Sequence, residues 1–118
     1  MAAVARVIDQ SALEVVIDTE HLSRMTLGEL SLQREVLALF DRQADMLLPR
    51  IRGGAPATVA ASAHTLKGSA VGIGAFKVAR AVEEVEQARD AQIGAAVETL
   101  AAVLDEAKAE IARLLQAA

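Results

Sequence analysis

The chain has 118 residues, enough for one domain with a modest core. Its formal net charge of −4 argues against nucleic-acid binding, which needs a basic face, and the absence of cysteine excludes disulfides and thiol chemistry. Aromatic residues make up 2% and prolines number two, so strand formers and helix breakers are scarce and an all-α fold is expected.

Residues 1–16 hold Val4, Val7 and Ile8 without a clear period, and are read as an extension ahead of a bundle spanning 17–118. Asp18 is a good N-cap for a short extra helix through Glu20, Leu22 and Met25, ended by Gly28. A long helix should begin near Glu29 or Ser31. Its apolar stripe is Leu32, Val36, Leu37, Phe40, Ala44, Leu47, Leu48 and Ile51, with Pro49 placed to kink the last turn. Gly53-Gly54-Ala55-Pro56 is the clearest turn in the chain.

The next helix should run from Ala57 to Ile73, stopped by Gly72 and Gly74. One face collects Val59, Ser62, Ala63, Leu66, Ser69, Ala70 and Ile73 and is expected in the core. The opposite face collects Ala57, Ala60, Ala61, His64, Lys67, Gly68 and Val71. A further helix from Phe76 should turn Val78, Val82 and Val85 inward and Lys77, Arg80, Glu83 and Glu84 outward, ending near Asp90 to Gly94. In the last helix Val97, Leu100, Leu104, Ala107, Ile111 and Leu114 alternate steps of three and four. Glu98, Asp105, Glu106, Lys108, Glu110 and Arg113 cover its other side. Four amphipathic helices with short links predict an antiparallel up-and-down four-helix bundle. No apolar run reaches the roughly 18–20 residues of a membrane span, and the N-terminus lacks a signal pattern, so a soluble, cytoplasmic protein is expected.

The chemistry concentrates at His64. On a helix, Lys67 at i+3 and Gly68 at i+4 share its face. Neutral imidazole is a nucleophile near physiological pH. An ammonium one turn away offsets the roughly two negative charges of a phosphoryl group, by analogy with other phosphorylated side chains. Glycine in a helix costs about 0.8–1 kcal/mol relative to alanine, and here it clears the space beside the ring. The small residues Ala57, Ala60, Ala61 and Val71 read as a docking surface, extended by Phe40, Gln43 and Ala44 of the first long helix. His21 is expected to be solvated. Two histidines without a carboxylate cluster give no metal site.

Ala63-His64-x-Leu66-Lys67-Gly68-Ser69-Ala70, followed by Gly74-Ala75, resembles the histidine-containing phosphotransfer (HPt) domains of phosphorelays. Ile17-Asp18 and Leu39-Phe40-x-x-Gln43 are similar to the same family. The resemblance implies that His64 is the phosphoacceptor, and that Lys67 and Gly68 assist and accommodate the phosphoryl group. It also implies that Glu86 orients His64. By the same resemblance the chain is a phosphocarrier and not an enzyme, and binds no cofactor. Its partners would be response-regulator receiver domains, which bring Mg²⁺, and a sensor histidine kinase. A monomer is expected. The alternative is a helical adaptor that binds a receiver domain without phosphotransfer.

Overall fold

The computed structural model describes residues 15–117. The expected N-terminal extension, residues 1–16, lies outside the described residues except for Val15 and Val16. Five helices follow in order: α1 (Thr19–Met25), α2 (Leu30–Gly53), α3 (Pro56–Ile73), α4 (Phe76–Gln87) and α5 (Gln92–Gln116). Among the described residues there is no strand. Helix α2 packs on α3, α3 on α4, α4 on α5, and α5 returns to α2, while α1 lies against α3. That closed circuit encloses one core.

Most positions of the stripes read from the sequence lie in it, with Leu32, Val36, Leu48 and Leu114 half-buried at its margin. Leu37, Phe40, Ala44, Leu47 and Ile51 of α2 are buried, as are Leu66 and Ala70 of α3, Val78, Val82 and Val85 of α4, and Leu100, Leu104 and Ile111 of α5. Burying a Leu, Val, Ile or Phe side chain contributes about 1.5–3 kcal/mol, so these positions dominate the stability of the fold. Helix α2 continues past Pro49 to Gly53. Pro56 sits at the first turn of α3, where its missing N–H has no partner to lose.

The C-terminus of α3 is fixed by Gly74, whose φ of 81° lies in the left-handed region. The Gly74 N–H donates to the Val71 carbonyl (3.2 Å) and the Ala75 N–H to that of Ala70 (2.8 Å). These are the paired bonds of a Schellman end. The Gly74 carbonyl in turn accepts from the Asp18 N–H at 2.9 Å. Asp18 caps α1 by accepting from the His21 N–H at 3.0 Å, and Ile17 beside it is buried. The glycine that ends one helix therefore seats the start of another.

One boundary and two side chains differ from expectation. Helix α4 stops at Gln87, earlier than Asp90 to Gly94, because Ala88 turns to extended backbone and Asp90 takes a φ of 52°. Aspartate tolerates that left-handed conformation better than most residues, so the turn needs no glycine. His21 is not simply solvated. Its Nε2 lies 2.8 Å from the Val71 carbonyl and its ring meets Phe76 edge-on at 5.1 Å. For that bond to form, Nε2 must carry the ring proton and donate it.

Lys108 is half-buried instead of merely covering α5. Its Nζ reaches Asp41 (2.6 Å) and Asp45 (2.8 Å) on α2. Burial alone pulls this ammonium down, but the bonds and charges of Asp41 and Asp45 outweigh it and hold it above its ordinary value. A raised ammonium adds stability that is fully present below its unfolded value and is lost as pH rises through the folded one. The link is therefore intact at neutral pH. Lys108→Met is expected to lower stability by about 0.5–1 kcal/mol, or roughly 2–6 °C in thermal unfolding at pH 7. An unchanged midpoint would show that the three charges do not hold α5 to α2.

Candidate functional site

Helix α3 presents two unlike faces. Ser62, Ala63, Leu66, Ala70 and Ile73 are buried; Val59 and Ser69 are half-buried. On the other side Ala57, Ala60, Ala61, His64, Gly68 and Val71 are exposed, with Lys67 half-buried. His64 thus stands mid-helix with its ring open to solvent. Small residues precede it by three, four and seven positions, so the approach along α3 is unobstructed by its own neighbours.

Gly68 is the most informative position. A Cβ built there meets nothing within 4 Å. Its backbone is ordinary helix, so neither packing nor conformation calls for glycine. The roughly 0.8–1 kcal/mol that glycine costs in a helix is not recovered inside the fold. Gly72 and Gly94 are equally open helix glycines, so what sets Gly68 apart is its place one turn from the exposed His64.

Glu86 lies on α4 as expected, but pairs with Lys67 instead of hydrogen-bonding His64: Lys67 Nζ donates to Glu86 Oε1 at 3.4 Å. The structure therefore brings together a histidine, a lysine and a carboxylate, with the carboxylate turned to the lysine.

A family comparison bears on this geometry. A model of the Hpt domain matches residues 35–117. The chain belongs to the Hpt domain family. The match takes in most of α2 and all of α3 to α5, and with them His64, Lys67, Gly68 and Glu86, whereas α1 precedes it. No match was found among curated proteins or among solved structures.

For this Hpt domain the expected docking surface needs one correction. Phe40 and Ala44 are 1% and 2% exposed and cannot meet a partner. They are four residues apart on the inner stripe of α2, where they fill the core. Gln43, one position off that stripe, is half-buried and borders an apolar groove with Met25, Leu39, Ser69 and Gly72. Leu39, 47% exposed, is apolar surface that the periodicity of α2 does not account for, and Met25 at the end of α1 is 58% exposed. The signal was present in the sequence: Leu39 falls between the inner positions 36, 37 and 40. On α3 the groove comes nearest His64 at Ser69, about 7.5 Å along the helix.

Among the described residues, no group of three or more His, Cys, Asp or Glu side chains is placed to hold a metal ion. Nor is any helix there long and apolar enough to cross a membrane.

Proposed function

We propose that this Hpt domain is a phosphocarrier in which His64 accepts a phosphoryl group from a receiver aspartyl phosphate, or from a sensor kinase, and passes it to another receiver aspartate. The observation that carries this reading is Gly68, a helix glycine that the fold does not need, one turn from an exposed imidazole. A partner active site must close over the ring, and a side chain at 68 would stand in its way. The short connections, of two residues between α2 and α3 and between α3 and α4, support an antiparallel bundle that holds α3 rigidly for that encounter.

The transfer is a displacement at phosphorus. The unprotonated ring nitrogen of His64 attacks, the bond from phosphorus to the aspartate oxygen breaks, and the aspartate leaves as carboxylate. The proton on the other ring nitrogen is then released to solvent. The reverse sequence delivers the group to the next receiver. Positioning and charge stabilisation supply most of the catalysis in such transfers. Here the receiver brings the Mg²⁺ and the aspartate, and this chain brings the nucleophile and the Lys67 ammonium. It is a carrier and not an enzyme.

The test is to mix the protein with ³²P-labelled receiver domains and follow the label. Label on this chain should be acid-labile and alkali-stable, as a phosphorus–nitrogen bond is, and should map to the peptide holding His64. Binding without label would make it the adaptor. Lys67→Ala should still be labelled, about ten-fold more slowly, the lower end of what a hydrogen bond to a charged group is worth. An unchanged rate would remove Lys67 from the transfer.

A further inference from the structure

We propose that Glu86 is a positioning residue that competes with the phosphoryl group for Lys67, and so raises the tendency of phosphorylated His64 to give the group up. The proposal rests on the phosphocarrier reading above. Its physical basis is the resting ion pair between Lys67 and Glu86 at 3.4 Å, with both side chains 36% exposed. At that length the pair is loose, and at that exposure it is screened by water, so it can be exchanged.

Lysine suits exchange. Its ammonium is a point charge on a flexible stem, with donors that turn to any acceptor within reach. From one position on α3 it can serve Glu86 on α4 or a group on the ring one turn back. Arg52, the cation lining the groove that Glu86 also lines, is engaged by Glu98 at 3.0 Å. Lys67 is therefore the counter-ion of Glu86 among the described residues.

Before phosphorylation the pair is neutral. A phosphoryl group adds about two negative charges by analogy with other phosphorylated side chains, and draws the ammonium toward His64. Glu86 is then left without its cation and facing like charge. Both effects destabilise the loaded state more than the empty one. A carrier must release its cargo, and Glu86 tilts the balance that way.

Free N-phosphoimidazole tests this without a protein partner. Its phosphorus–nitrogen bond breaks as a new one forms to His64, and the proton released by the His64 ring ends on the departing imidazole. The ratio of loaded to empty protein at equilibrium is read by ³¹P NMR. Glu86→Gln should raise the exchange constant about three- to five-fold, and Glu86→Asp should keep it near wild type. In a Lys67→Met background the gain from Glu86→Gln should shrink below about two-fold, because the two residues act through one contact. A purely structural Glu86 would shift the unfolding midpoint and leave this constant alone.

An unchanged constant in Glu86→Gln, or an equal gain with Lys67 removed, overturns the proposal while leaving the phosphocarrier reading intact. A wild-type protein that takes no phosphoryl group from phosphoimidazole or from phosphorylated receiver domains overturns both.

Discussion

Phosphoryl uptake is expected to vanish in His64→Gln and to fall by roughly a hundred-fold or more in Gly68→Gln, with neither protein losing its fold. Glutamine keeps the polarity and length of a side chain at 64 but has no nucleophilic nitrogen. It is also a better helix former than histidine, and the position is exposed, so no packing is lost. The Gly68 substitution works by obstruction. A Cβ at 68 points into open space in the isolated domain, so the variant has no internal clash to relieve. Removing a helix glycine should make α3 more stable by up to roughly 0.8 kcal/mol. The same side chain projects from the surface where a receiver must approach the ring to within bonding distance. A displacement of about 1 Å there costs around two orders of magnitude in rate. Stability and transfer should therefore move in opposite directions, a pattern that unfolding cannot mimic. Thermal unfolding and label transfer measured on the same preparations would decide it. A Gly68→Gln protein that transfers at the wild-type rate would leave the helix glycine without a purpose.

What could be read from the sequence follows from how far each feature reaches along the chain. The stripes of α2 and α5 repeat over several turns, so their inner faces are local facts. The grouping of His64, Lys67 and Gly68 needs only that α3 be a helix. Features that depend on which helix lies opposite were not legible. Nothing near His21 announces that its ring meets the Val71 carbonyl, 50 residues away. Lys108 looks like any outward lysine of α5 until Asp41 and Asp45 appear across from it. Periodicity places Phe40 and Ala44 on the inner stripe of α2 while their nearness to His64 along the fold suggests a surface role, and burial decides for the core. Glu86 is the instructive case. Its place on α4 was accessible from spacing, but its contact with Lys67 depends on a side-chain choice between two nearby partners.

Gly74→Ala should be the opposite of the Gly68 change, destabilising the protein by about 2–3 kcal/mol or roughly 8–12 °C in the unfolding midpoint. Two costs combine. An L-residue at a φ of 81° places its Cβ against its own backbone, which costs about 1–2 kcal/mol. The new methyl would also stand 2.7 Å from the Asp18 carbonyl oxygen, closer than real contacts allow, and that oxygen is backbone and cannot swing away. Relief requires Ile17 and Asp18 to lift off, which gives up the Asp18 N–H bond to Gly74 and uncovers Ile17. Loosening should begin at α1, so hydrogen exchange ought to rise first at the α1 amides and only later in α3. Transfer through His64, nearly three turns back from Gly74, should persist at temperatures where the variant is folded. Gly68 and Gly74 lie six residues apart at one end of the same helix, and the two substitutions separate what the fold demands from what a partner demands. If alanine at 74 left the midpoint unchanged, the Schellman end and its hold on Asp18 would not be what fixes α1 to the bundle.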